Sequence, residues 1–137
     1  MARAAACGTT ACGSATTVTY NGVALTFAGA STNGTVRSEI WYLVAPASGT
    51  HNVVVTAPNA TAVTATSMSF TGVNQTTPLG STVGAIGTST SPQVSLTSAV
   101  GEPVFDVAGA VGTTAPTVAG ATQTVRNTNT TSTGLDR

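Results

Sequence analysis

The sequence contains no lysine and little charge of either sign. Only 6% of its 137 residues are charged, against about 25% in an ordinary soluble domain. Four arginines balance four acidic residues, so the formal net charge is zero. A chain without a basic stripe cannot neutralise a run of phosphates, which argues against nucleic acid as a partner. It also lacks the polybasic cluster that would hold it to a membrane surface. No apolar run approaches the roughly 20 residues of a membrane-spanning helix. Met1-Ala2-Arg3-Ala4-Ala5-Ala6-Cys7 lacks the continuous apolar segment of a secretory signal. The expectation is therefore a protein that leaves the cell without that signal, as virion components do on lysis, or a chain that is not the precursor.

Titratable side chains are too scarce for an enzyme built on clusters of them. His51 is the only imidazole, and Glu39, Glu102, Asp106 and Asp136 are the only carboxylates. A catalytic triad needs a nucleophile on one side of the histidine and a carboxylate on the other. His51 instead opens the His51-Asn52-Val53-Val54-Val55 run just after a turn, where a hydrogen-bonded or solvent-facing histidine is ordinary. Glu102 and Asp106 lie close enough in sequence to pair for acid–base work, but calcium wants six to eight oxygen ligands and no Asp-rich loop is present. Arg37 and Glu39, two apart on one strand face, read as a structural ion pair. The expectation is no catalytic residue, no cofactor and no metal.

Cys7 and Cys12 are the only cysteines. They can close a small disulfide loop or link two subunits, whereas a structural zinc site needs four ligands. In a small-residue arm, two inert thiols are the plainer reading.

What the chain does have is 29 Thr, 22 Ala and 12 Ser. Hydrophobic residues make up 41%, which together with zero net charge argues against disorder. With three Phe, two Tyr and one Trp, much of any core must come from Val and Ala. Thr and Val are β-branched and favour pleated strands. Residues 16–20 are expected as a strand, followed by the Asn21-Gly22 hairpin signal and a returning strand over 23–28. Residues 30–35 are turn-rich. Residues 36–44 (VRSEIWYLV) give the clearest strand: Val36, Ser38, Ile40, Tyr42 and Val44 share one face, and Arg37, Glu39, Trp41 and Leu43 the other. Both faces turn apolar toward its end, as in a central strand covered on both sides. Further strands are expected over 51–57, 62–71, 82–86, 93–97, 104–108 and 122–126. Turn signals recur about every 8–12 residues, the spacing of a sandwich or barrel. The fold class expected is an all-β antiparallel sandwich, jelly-roll or immunoglobulin-like, of about nine short strands. Residues 1–15 read as a flexible N-terminal arm, 16–126 as the β-sandwich domain and 127–137 as a polar C-terminal extension. Asn33, Asn59, Asn74 and Asn129 each open an N-glycosylation acceptor pattern, a weak excess in a chain this rich in Thr.

Three segments in series carry a resemblance: Ser38-Glu39-Ile40-Trp41-Tyr42-Leu43-Val44-Ala45-Pro46, then Gly49-Thr50-His51-Asn52-Val53-Val54-Val55, then Phe70-Thr71-Gly72-Val73-Asn74-Gln75-Thr76-Thr77-Pro78-Leu79-Gly80. Together they resemble an uncharacterised β-sandwich module common in bacterial, phage and metagenomic surface or virion-associated proteins. The resemblance covers residues 16–126 and implies no catalytic motif. Members of that group continue past the equivalent of Gln123 into a final strand bearing a Trp, which this chain does not have before Arg137. That departure implies a sandwich lacking a closing strand, supplied by the arm of a neighbouring chain, residues 1–15, through strand addition.

The function expected is a noncatalytic structural subunit, extracellular or on a virion, whose partners are copies of itself. Near-zero net charge favours such self-association. The alternative is a carbohydrate-binding or adhesive module in which Trp41, Tyr42 or Tyr20 stacks on surface glycans. A hydrolase using His51 is a third and weaker alternative. Exposure of Trp41 separates the first two, since a stacking platform must face solvent.

Overall fold

The computed structural model of the chain describes residues 2–6, 13–15, 17–58, 60, 62–89, 93–111, 124 and 135–136. Every regular element among them is a β-strand and every pairing is antiparallel. In chain order they are β1 (Ala2–Ala6), β2 (Thr17–Tyr20), β3 (Val23–Ala24), β4 (Thr26–Thr32), β5 (Val36–Tyr42), β6 (Val53–Thr56), β7 (Ala62–Thr66), β8 (Ala110–Val111) and β9 (Leu135–Asp136). One sheet has the order β4-β5-β1-β7, a second β3-β2-β6, and β8 pairs with β9.

The Asn21-Gly22 turn forms as its sequence requires. Asn21 has φ 50° and Gly22 φ 76°, the two positive values that a type I′ hairpin needs and that Asn and Gly tolerate best. The returning strand is shorter than expected. Val23 and Ala24 pair with Tyr20 and Thr19, Leu25 N donates to Val18 O at 2.8 Å, and from Thr26 the chain belongs to the other sheet. Residues 30–35 are also corrected: strand β4 persists to Thr32, and only Asn33-Gly34-Thr35 makes the turn. There Asn33 Oδ1 accepts from Val36 N at 2.9 Å and Gly34 takes φ 93°.

The expected alternation holds best along β2 and β6. Val18 stands opposite Val55 and Tyr20 opposite Val53, with Val18 1% exposed while Val54, between them on the other face, is 53% exposed. In β5 no side chain is exposed on either face, as the double-sided apolar pattern anticipated. The core cluster joins both sheets: Trp41 of β5 packs with Ala15 and Val18, and Leu25, Val53 and Val55 close around them.

Past β7 the sequence expectation fails. The strand expected over 62–71 stops at Thr66, and residues 82–86, 93–97 and 104–108 form no strand. Residues 122–126 lie outside the described residues except Thr124. β-propensity reports how well a side chain fits a sheet surface, and here no described neighbour offers a ladder. Residues 82–85 instead lie along β4: Ser31 Oγ donates to Ala85 O at 2.9 Å, and Thr82 Oγ1 to Ala28 O at 3.3 Å. Approach that close needs small residues. A Cβ on Gly84 would come within 3.3 Å of Ser31 Cβ.

On β7 the Thr64 hydroxyl is buried with no hydrogen-bond partner among the described residues, which costs on the order of 1–3 kcal/mol. Replacing it by an isosteric apolar group should remove that cost. Thr64→Val is expected to raise the urea midpoint with an unchanged slope, a gain of about 1 kcal/mol. A lowered midpoint would show that the hydroxyl has a partner in solution.

Candidate functional site

Arg37, Glu39 and Trp41 alternate along β5 and so share its inward face. At the centre Glu39 is 0% exposed. A carboxylate this deep must be paired and hydrogen-bonded to persist as an anion, and its donors come from two parts of the chain. Arg37 Nε reaches Oε1 at 2.5 Å, so the ion pair read from the sequence is present. Trp41 Nε1 donates to Oε2 at 3.0 Å. Ser14 Oγ donates to Oε1 at 3.1 Å, and Ala15 N to the same oxygen at 3.2 Å.

The last two donors lie in the segment leading from β1 to β2, part of the arm over 1–15 that the sequence reading offered for strand addition and did not connect with Glu39. A usable signal existed: a buried indole needs an acceptor for its N–H, and Glu39 is two residues away on the same face. What no pattern indicates is which distant backbone amide completes the shell.

The same carboxylate stands beside the docking position of β1. That strand lies between β5 and β7, with Arg3 opposite Glu39 on one side and Ala65 on the other. The one charged residue of β1 thus takes the register position across from Glu39. The N-terminal arm expected over 1–15 therefore contains a five-residue strand at positions 2–6 and the Glu39 donors at 14 and 15. Cys7 and Cys12 lie outside the described residues.

The aromatic candidates separate. Trp41 is 8% exposed and meets the Phe27 ring at 5.1 Å, edge to face, so its indole faces the interior. Tyr42 is half-buried on the other face of β5. Tyr20 works as a clamp: its hydroxyl donates to Ala47 O at 3.2 Å and Gly49 O at 3.1 Å. His51 packs edge-on against Tyr20, centroids 5.5 Å apart, and its Nε2 lies 3.1 Å from Ser48 O. Both rings thus hold the 46–50 loop, which leaves β5 through Ala45 at φ 46°. Beside them Asn21, Gly22, Thr50, His51, Asn52 and Val54 line a shallow depression of about 410 Å³ that is open to solvent. Glu102 caps a turn, accepting from Ala99 N at 2.8 Å, and Asp106 is exposed. Among the described residues no three His, Cys, Asp or Glu side chains gather as a metal site would require, and no helix is long and apolar enough to cross a membrane.

Compared with protein-family models, with curated proteins and with solved structures, the chain matches none.

Removing either half of a buried ion pair strands the other half. Glu39→Ala is expected to cost about 3 kcal/mol, the low end for a buried pair because Arg37 is 16% exposed. Glu39→Gln keeps the shape and one acceptor and should cost less, both read from urea midpoints. Equal stability of all three proteins would mean that the carboxylate is not the anchor described here.

Proposed function

We propose that this chain is a noncatalytic structural subunit of an extracellular assembly, at the surface of a virion or along a filament, joined to copies of itself through β-strand and apolar contacts. The observation that carries this role is an inverted distribution of apolar side chains. Among the described residues Val18, Val36 and Trp41 are the large hydrophobics that are buried, whereas Phe70, Val83, Ile86, Val94, Val104 and Phe105 are all at least 40% exposed. Burying one such side chain is worth about 1.5–3 kcal/mol. A chain with almost no charge gains little by keeping them in water and gains much by pressing them against another copy.

Two features of the sheets support the same role. Trp41 from one sheet and Val18, Val53 and Val55 from the other share one cluster, as the layers of a β-sandwich do. The sheet edges are also unequally protected. β3 is only two residues long, and β4 carries a register shift between Phe27 and Gly29 with residues 82–85 laid along it. Shortness and bulges are how edges are blunted. β6 and β7 end their sheets among the described residues with neither device, and Val54 and Val63 are 53% and 41% exposed.

Binding of neutral glycans is the second reading, supported by the open depression where Asn21, Thr50 and Asn52 stand beside His51 and Tyr20.

Negative-stain electron microscopy with mass photometry of the purified protein tests the structural role. Ordered filaments or shells are expected; a monodisperse monomer at every concentration would overturn it and lead next to a glycan array. Val54→Lys places a charge on the β6 edge at an exposed position, where stability should shift by about 0.5 kcal/mol or less. It is expected to raise the concentration needed for assembly about ten-fold, with the melting temperature unchanged.

A further inference from the structure

We propose that Glu39 is an acid-released clasp: ionised, it holds residues 14 and 15 against β5, and a proton on it sets that segment free. The clasp does not depend on the structural role proposed above.

Two parts of the chain that are distant in sequence meet on this carboxylate. From the segment between β1 and β2, Ser14 Oγ and Ala15 N donate to Oε1 at 3.1 and 3.2 Å. From its own strand, Arg37 Nε pairs with Oε1, and Trp41 Nε1 donates to Oε2 at 3.0 Å. An ionised carboxylate only accepts, whereas guanidinium, indole and amide N–H groups only donate. Of these four partners the Ser14 hydroxyl alone can turn to accept. Protonation therefore sets an O–H among donors and leaves Arg37 without its counter-charge, at a place where Glu39 is 0% exposed. The effect reaches beyond the segment. Ala15 also packs with Val18 of β2 and Trp41 of β5, so the contact between the two sheets is held by the same clasp.

Acid changes little else at this place. The ladder positions opposite Glu39 are Arg3 on β1 and Ala30 on β4, and residues 13–15 carry no titratable side chain. Arginines keep their charge at any acidic pH, so among the described residues here Glu39 is the group that takes up a proton. His51 packs instead against Tyr20, Glu102 caps its own turn and Asp106 is exposed. Charge-assisted bonds favour the ionised form. Their contribution is therefore present at neutral pH and is lost as pH falls below about 4.3, where an unpaired glutamate titrates.

Trp41 is the only tryptophan in the chain, so its emission reports on the clasp directly. The full-length wild type, Ser14→Ala and Glu39→Gln are titrated with acid from neutral pH. Trp41 emission, far-UV circular dichroism and hydrogen exchange of the peptide containing Ala15, read by mass spectrometry, are followed together. In the wild type the emission is expected to move to longer wavelength in one reversible, one-proton step. Over that step exchange at Ala15, corrected for its intrinsic pH dependence, should rise about ten-fold while the dichroism holds, as in a local opening. Ser14→Ala removes one donor to the anion and should move the step to higher pH, and Glu39→Gln should abolish it. If Glu39→Gln does not fold, the shift in Ser14→Ala decides. A wild-type step that coincides with loss of dichroism is ordinary acid unfolding and overturns the clasp. So does an emission that stays constant on acidification, a step unmoved in Ser14→Ala, or one that persists in folded Glu39→Gln.

Discussion

A carboxylate buried to 0% exposure sets the terms for the surrounding structure. Moving a charge out of water costs several kcal/mol even after relaxation, and Glu39 offsets that cost with donors from its own strand and from residues 14 and 15. β5 must therefore be the strand on which other elements converge. Arg37 and Trp41 are placed by the two-residue period of the strand itself. The 14–15 segment is held by the opposite kind of bond, a distant hydroxyl and amide drawn to a fixed charge. The position of that segment in turn brings Ala15 and the start of β2 onto Trp41, which is where the two sheets share their small core.

That core is small because the composition allows little more. Val18, Trp41, Leu25, Val53 and Val55 are the larger members of one cluster, and threonine fills much of the remaining strand surface. The backbone accordingly carries a large share of the order: ladders on both sides of β5, a hydroxyl-to-carbonyl bond from Ser31 to Ala85, and the Tyr20 hydroxyl shared between Ala47 and Gly49. Backbone bonds are indifferent to which copy of a chain provides them.

The two parts of the chain differ in how legible they were. From Thr17 to Thr66 the alternation of apolar and polar residues and the Asn21-Gly22 turn led to strands close to those observed. Beyond Thr66 the same threonine- and valine-rich composition misled, because Thr82 and its neighbours fit a strand locally but lie on β4 through side chains and small residues. Five residues of β1 had no signal of their own, since Ala-Arg-Ala-Ala-Ala has neither alternation nor β-branching. Its place comes from the two sheet edges, of β5 and β7, between which it pairs.

By itself the amino-acid sequence determined the all-β class, the central strand over VRSEIWY, the Arg37–Glu39 pair and the near absence of charge. Each follows from period-two geometry or from composition, which are local quantities. Only the tertiary structure decided that Trp41 turns inward to Glu39, that Tyr20 and His51 brace a loop, and that β1 lies between β5 and β7. Those outcomes depend on which distant backbone groups and side chains satisfy a buried charge and an open sheet edge, and no window of neighbouring residues contains that information.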